Sequence, residues 1–186
     1  MSKLSIAVNS HDHVQGNPDA LWTLVEYGDY ECPHCGAAYP IVKRLQEHLG
    51  DKLLLVFRNF PLREVHSHAE HAAEAAEFAG ENGRFWQMHD LLFENQQSLE
   101  DEFLLRFADE LVLPRDKLSQ SLRHGTYRDR VASDFRGGVR SGVNGTPTFF
   151  INGRRYEGSY QFDDLLIGIE RSSVTVPLKG DGIRMT

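Results

Sequence analysis

The chain has 186 residues, of which 40% are hydrophobic and 25% charged, and its formal net charge is −7. These proportions are typical of a globular protein with a sizeable core and exclude a disordered chain. The acidic charge argues against a surface for nucleic acid or anionic membranes. The first thirty residues contain no apolar secretion signal, and no run reaches the roughly 18 apolar residues of a membrane helix, so we expect a cytoplasmic protein.

The N-terminal third of the sequence predicts a βαβ unit. Residues 1–17 are polar and predict a loosely organised arm that ends at a turn. An aromatic and β-branched segment over 21–27 predicts a strand, and helical spacing follows over 36–49, where Pro40 should introduce a kink. The continuous apolar run over 53–57 is typical of a strand that is buried on both faces.

The middle of the chain carries a series of helical patterns, and strand patterns return near the C-terminal end. Residues 148–151 predict a strand, Asn152-Gly153 is a strong hairpin signal, and a last helix is expected over 161–171. This order predicts an α/β domain that is interrupted by an all-helical insertion. The predicted parts are a discontinuous α/β domain (18–66 with 142–172), the insertion (67–141) and a C-terminal tail (173–186).

The two cysteines of the chain, Cys32 and Cys35, lie three positions apart between the first predicted strand and helix. The N–H groups and the dipole at a helix start favour a thiolate, which is the nucleophile in disulfide exchange. Pro33 fits the first helical position, and a protonated His34 would add positive charge near the thiolate. We therefore predict that Cys32 attacks and that Cys35 resolves the mixed disulfide by closing a Cys32–Cys35 bond.

A Cys-x-x-Cys pair can instead be half of a structural zinc site. The chain has no second pair of this kind, but it has nine histidines, and His66, His68 and His71 form the obvious cluster. A zinc-stabilised binding module that uses the cysteines and histidines is therefore the competing hypothesis. For the redox function no metal and no dissociable cofactor are expected, because the disulfide itself carries the electrons.

Two further positions are predicted to complete a redox site. Thr146-Pro147 comes directly before the strand over 148–151. A cis bond there would turn the chain beside the cysteines and leave the Thr146 backbone free to pair with an extended substrate segment. Glu26 lies among apolar neighbours on the strand before the cysteines, so a buried carboxyl with a raised pKa could relay a proton to or from Cys35.

Taken together, the motifs resemble the DsbA-like branch of the thioredoxin superfamily over about residues 21–171. The motifs that carry the resemblance are Glu26-Tyr27-Gly28-Asp29-Tyr30-Glu31-Cys32-Pro33-His34-Cys35, the helix proline Pro40 and Thr146-Pro147. The resemblance implies a thioredoxin-like α/β fold with an all-helical insertion. It also implies an exposed first cysteine, a buried second one, a cis-proline and a hydrophobic substrate groove.

The activity that this resemblance implies is thiol–disulfide exchange with protein or low-molecular-weight thiols, with glutathione among the candidate partners. The absence of a secretory leader departs from the best-known members, which are periplasmic oxidases, and leaves the direction of exchange open. A glutathione-dependent isomerase or transferase on the same fold is a further alternative. Those relatives generally have a single Ser or Cys at the nucleophile position, so the presence of Cys35 speaks against it.

Overall fold

The structure is a computed structural model that describes residues 2–172; the predicted tail over 173–186 lies outside the described residues. A five-stranded sheet in the order β1-β3-β2-β4-β5 forms its centre. The strands are β1 (His13–Gly16), β2 (Trp22–Gly28), β3 (Leu53–Asn59), β4 (Thr148–Ile151) and β5 (Arg154–Arg155). The helices are α1 (Pro33–Leu49), α2 (Ala69–Glu81), α3 (Phe85–Glu94), α4 (Asp101–Glu110), α5 (Arg115–His124), α6 (Arg128–Arg140) and α7 (Phe162–Arg171).

The sheet is mixed, and its centre is the predicted βαβ unit. Strands β2 and β3 are parallel and are joined through α1, whereas β1, β4 and β5 pair antiparallel with their neighbours. All seven residues of β3 are buried, as its apolar sequence predicts. The five helices α2 to α6 lie between β3 and β4 in the chain. The predicted α/β fold with a helical insertion is therefore confirmed.

Helices cover both faces of the sheet. On one face, side chains such as Leu24 and Leu55 form a core with residues of α1 and α7. On the other face, Tyr27 and Phe150 pack with Phe60, whose ring stacks on that of Phe135 in α6. This close approach of α6 depends on Gly138, where an added Cβ would lie 2.7 Å from the Phe60 ring.

The third core belongs to the helical insertion, and it includes the cysteine pair. Buried side chains from α2 to α6, among them Met88 and Leu104, form one cluster with Phe57 of β3. Cys32 and Cys35 belong to this same cluster. The insertion therefore packs against the cysteines, and the burial of both cysteines depends on its side chains as well as on the sheet.

The prediction of a loosely organised arm over residues 1–17 is wrong. β1 pairs antiparallel with β3, so the sheet begins before residue 18. At the opposite edge of the sheet, Lys3 forms a bridge with Arg154, and Leu4 N–H donates to the Gly153 carbonyl over 3.0 Å. The N-terminal segment thus covers the edge of β3 as strand β1 and pairs with the β4–β5 hairpin at the other side of the sheet.

A buried ion pair explains why this polar segment is ordered. The Arg58 guanidinium on β3 donates to both carboxylate oxygens of Asp12 over 2.7 and 2.9 Å. It also donates to the carbonyls of Ile6 and Ala7 and to the Tyr27 hydroxyl. The side chains of Arg58 and Asp12 are only 3% and 4% exposed. A buried guanidinium needs acceptors for its five N–H groups, and the N-terminal segment supplies most of them.

This geometry predicts that Asp12→Ala destabilises the protein strongly. The substitution leaves a buried guanidinium without its counter-charge, which costs about 3–5 kcal/mol. Asp19→Ala is the matched control, because Asp19 is exposed on the same segment and should change the stability by less than about 0.5 kcal/mol. Urea denaturation of both variants gives the two free energies of unfolding, and equal losses would contradict the role of the ion pair.

Candidate active site

The two cysteines lie where a strand gives way to a helix. β2 ends at Gly28, Cys32 is the N-cap residue of α1, and Pro33 occupies the first turn of the helix. The N–H of Cys32 donates to the Asp29 carbonyl over 3.1 Å, which closes a tight turn before the helix. We call residues 29–32 the redox turn. It places the Cys32 side chain at the positive end of the α1 dipole, as predicted.

The two cysteines differ in surroundings, but both are buried. Cys35 is fully buried, as expected, whereas Cys32 is only 4% exposed. The expectation of an exposed Cys32 is therefore wrong, because the insertion core covers it in part. Its sulfur also lies under the loop of Thr146, whose carbonyl is 3.4 Å from Cys32 Sγ. The Thr146–Pro147 peptide bond is cis.

Both cysteines are free thiols in this structure, so the predicted Cys32–Cys35 disulfide stays a prediction. A hydrogen bond from the Cys35 side chain lowers the pKa of Cys32 to about 5, although burial acts in the opposite direction. The backbone N–H groups of Cys35 and His34 also favour the thiolate. At neutral pH, Cys32 is therefore the ionised member of the pair.

Burial has the opposite effect on Cys35. Loss of solvent raises the pKa of this thiol well above its ordinary value, and the hydrogen bond to Cys32 and the charge of Glu26 act in the same direction. The N–H of Asp29 donates to Cys35 Sγ over 3.4 Å and compensates in part. The pair thus consists of one thiol that ionises readily and one that holds its proton.

Glu26 lies in the sheet on the face that α1 covers. Its partners in register are Phe57 on β3 and Phe149 on β4, so an aromatic residue flanks the carboxyl on each side. Burial in these surroundings raises the pKa of Glu26 to about 8. Its Oε1 atom has no hydrogen-bond partner among the described residues. The predicted burial and raised pKa are both present, and the carboxyl is close enough to act on the charge of Cys35.

Pro33 and His34 are exposed between the two cysteines. The His34 ring lies against Tyr160, with Nδ1 3.4 Å from the Tyr160 hydroxyl. The contribution of this residue to the Cys32 thiolate comes from its backbone N–H. The role predicted for the His34 imidazole therefore stays a prediction, and Tyr160 is an additional neighbour that the sequence did not suggest.

The three histidines of the zinc hypothesis do not converge on the cysteines. His66 Nδ1 is 2.8 Å from an Asp29 carboxylate oxygen, and His71 Nδ1 is 2.6 Å from Asp101. The N–H of His68 donates to Glu31 over 2.6 Å, so this residue holds the redox turn through its backbone. Within residues 2–172, no group of three or more His, Cys, Asp or Glu side chains is placed to share a metal ion.

Asp29 is a site residue that the sequence analysis missed. Its carboxylate is buried and accepts hydrogen bonds from the N–H groups of Glu31 and Leu62, each at 2.8 Å. The His66 ring is its third partner; although partial burial acts the other way, the contact with Asp29 raises the pKa of His66. An Asp that follows a strand and bonds the N–H two residues on is a recognisable turn signal, and it was available in Gly28-Asp29.

Comparison with known proteins identifies the family. A family model described as thioredoxin matches residues 8–171. The chain belongs to the thioredoxin family. Its structure is similar to oxidised BdbD from Bacillus subtilis, with a TM-score of 0.79 and 25% identity over 91% of this chain and 95% of that one. A thioredoxin-like oxidoreductase from Silicibacter pomeroyi gives a TM-score of 0.77 and 26% identity over 88% of this chain and 92% of that one.

A solved structure at lower identity shares the fold of this thioredoxin-family chain. The α-DsbA1 protein of Wolbachia pipientis has a TM-score of 0.74 and 21% identity over 90% of this chain and 93% of that one. With the two similarities above, it confirms a DsbA-like thioredoxin fold with a helical insertion.

Sequence relatives with higher identity are named as Na⁺/H⁺ antiporters. A protein of Salinispora arenicola named Na⁺/H⁺ antiporter NhaA 1 is 47% identical over 83% of this chain, which is 24% of that protein's length. NhaA 3 of Salinispora tropica is 42% identical over 93% of this chain and 26% of its own length. The chain spans about a quarter of the length of these curated relatives. No helix within residues 2–172 has the length and apolar character to cross a membrane.

The raised pKa of Glu26 predicts a pH-dependent stability. The native carboxyl keeps its proton up to about pH 8, whereas a free glutamate loses it near 4.5. Unfolding therefore releases a proton between these values, and the stability should fall by up to about 1.4 kcal/mol per pH unit as the pH rises through this range. Glu26→Gln should match the wild type near pH 4 and be more stable near pH 8, as measured by urea denaturation of the reduced proteins. A difference that is independent of pH would contradict this.

The two contributions of residue 34 to the Cys32 thiolate can be separated by two substitutions. His34→Leu removes the imidazole and keeps the N–H, whereas His34→Pro removes both, and proline is tolerated in the first helical turn. Since the backbone N–H acts on Cys32, we expect the pKa of Cys32 to rise more in His34→Pro than in His34→Leu. Thiolate absorbance as a function of pH measures both shifts. Equal shifts would assign the whole effect to the imidazole.

Proposed function

We propose that this chain is a thiol–disulfide oxidoreductase whose Cys32–Cys35 disulfide oxidises pairs of thiols in protein substrates. The observation that carries the proposal is the opposite shift of the two thiol pKa values, to about 5 for Cys32 and upward for Cys35. A stabilised Cys32 thiolate stabilises the reduced form. Such a pair accepts electrons readily, because reduction of its disulfide is favoured.

In the first step a substrate thiolate attacks Cys32 Sγ of the disulfide. A bond forms between the substrate sulfur and Cys32, the Cys32–Cys35 bond breaks, and Cys35 leaves as a thiolate. This thiolate takes up a proton because its buried position disfavours the charge. Glu26 is the proposed donor, since its carboxyl is still protonated at neutral pH.

In the second step the other substrate thiolate attacks the substrate sulfur of the mixed disulfide. The substrate disulfide forms, and Cys32 leaves as a thiolate, for which its low pKa makes it a good leaving group. Two electrons have then passed from the substrate dithiol to the cysteine pair. The same steps in reverse reduce a disulfide, and proton transfer through Glu26 runs in the opposite direction.

The proposed substrate position lies along Thr146 and Pro147. The Thr146 carbonyl is next to Cys32 Sγ, and the ladder between β2 and β4 begins only at Thr148. An extended segment beside Thr146 would bring its own sulfur to Cys32 and could pair with the backbone there. Protein thiols suit this position. Glutathione, an extended thiol peptide, is the low-molecular-weight candidate.

The decisive experiment compares three proteins in the oxidation of a reduced two-cysteine peptide. The wild-type protein should form the peptide disulfide, and Cys32→Ser should lose the activity, because no nucleophile or leaving group remains at position 32. When it is given the disulfide form of the same peptide, Cys35→Ser should accumulate mixed disulfides, because its Cys32 thiolate breaks the peptide disulfide and no Cys35 is present to displace the bound peptide; the product is visible as a mass increase on intact-protein mass spectrometry. Full activity of Cys35→Ser would show that the dithiol mechanism is wrong.

The same preparation tests the direction of exchange and the zinc alternative. The equilibrium of the cysteine pair with glutathione measures its reduction potential. We expect this potential to lie above the cytosolic glutathione poise of about −220 to −320 mV, so that the pair is mostly reduced at that poise. A pair that stays oxidised at that poise would overturn the proposed direction. Stoichiometric zinc in a protein without exchange activity would favour the binding module instead.

A further inference from the structure

Gln96 reaches from the helical insertion onto the backbone of the redox turn. It lies between α3 and α4, and its side-chain Nε2 donates to the Tyr30 carbonyl over 2.7 Å and to the Cys32 carbonyl over 3.0 Å. An amide nitrogen has two hydrogens, so one hydrogen is available for each bond. A single side chain therefore fixes two peptide groups on either side of Glu31.

The Cys32 carbonyl has a second partner that belongs to α1. The N–H of Gly36 donates to it over 3.1 Å as the first hydrogen bond of the helix. Gln96 therefore acts at the point where the turn becomes a helix. Orientation of this peptide group determines how the following N–H groups, which favour the Cys32 thiolate, are presented to its sulfur.

The Gln96 amide also accounts for the glycine at position 36. A Cβ added to Gly36 would overlap the Gln96 carboxamide, with Oε1 as the nearest atom. Gly36 lies inside α1 and has no positive φ, so its backbone conformation does not require glycine. Glycine in a helix costs roughly 0.5–1 kcal/mol relative to alanine. The Gln96 carboxamide occupies the space that a larger side chain at position 36 would need, which explains why glycine is present despite this cost.

We propose that Gln96 is a positioning residue for disulfide exchange, which holds the Tyr30 and Cys32 carbonyls and so aligns the redox turn with the start of α1. This inference rests on the proposed function and adds a residue of the helical insertion to it. Carbonyl oxygens carry negative partial charge. With the Gln96 donors removed, the Tyr30 carbonyl loses this donor and the Cys32 carbonyl keeps the Gly36 N–H alone, so their negative partial charges are less compensated and the Cys32 thiolate loses stabilisation.

The first test replaces the donor and keeps the length of the side chain. Gln96→Met should raise the pKa of Cys32 and shift the equilibrium with glutathione about three- to tenfold toward the disulfide, which is the effect of roughly one lost hydrogen bond. Gln97→Met is the matched control, because Gln97 is the exposed neighbour and should leave both quantities unchanged. A Gln96→Met protein that is less stable but has an unchanged Cys32 pKa and an unchanged equilibrium would overturn the proposal.

The second test uses Gly36 and remains informative if Gln96→Met does not fold. Gly36→Ala should displace the amide and raise the pKa of Cys32 in the same direction. In a Gln96→Ala background the added methyl group has room, so Gly36→Ala should then have little further effect. Additive effects of the two substitutions would show that the Gly36–Gln96 contact does not position the turn.

The pH profile of Cys32 alkylation by iodoacetamide separates this inference from the proposed function. The reaction reports the thiolate fraction and needs no exchange activity. If the wild-type protein oxidises no substrate, the proposed function fails, and the profiles of the wild type, Gln96→Met and Gln97→Met still decide whether Gln96 acts on Cys32. Coincident profiles for all three would overturn the inference about Gln96.

Discussion

One buried carboxylate holds the redox turn in place. Asp29 accepts hydrogen bonds inside the turn from Glu31 and outside it from Leu62 and His66, while its backbone contacts both cysteines. A buried carboxylate is costly unless it is fully hydrogen-bonded, so its partners on both sides are fixed together. The geometry of the cysteines therefore depends on the segment after β3 as well as on the strand that precedes them.

The reactivity of the cysteine pair depends on the different surroundings of two thiols that lie one helical turn apart. Cys32 lies at the helix start, where N–H groups stabilise charge, whereas Cys35 lies one turn deeper, where burial and Glu26 oppose it. Glu26 itself keeps its proton up to about pH 8, because it is buried between Phe57 and Phe149 on the neighbouring strands. Cys35 and Glu26 are therefore two neighbouring groups whose pKa values are both raised by burial, and the low dielectric that causes this comes from the sheet and the insertion core together.

The sequence was sufficient for the features that local patterns encode. The apolar run of β3, the Asn152-Gly153 hairpin and the cysteine pair before α1 all lie where the patterns predict them. The sequence patterns did not predict strand β1, because it is short and half-buried. Its order also depends on the ion pair between Asp12 and Arg58, which are 46 residues apart. The low exposure of Cys32 and the contacts of Gln96 likewise arise only when the insertion packs on the turn. The periodicity of a sequence carries no information about such long-range contacts.

The helical insertion forms part of the surroundings of both cysteines. It reaches the redox turn from two directions, through His68, whose N–H holds Glu31, and through Gln96, which holds the carbonyls of the turn. Its apolar side chains share a core with both cysteines. Two proteins with the same four-residue motif but different insertions would therefore present different donors and a different dielectric to the same sulfur atoms. The properties of the motif depend on the whole packing arrangement around it, which includes His68, 37 positions from Glu31, and Gln96, 64 positions from Cys32.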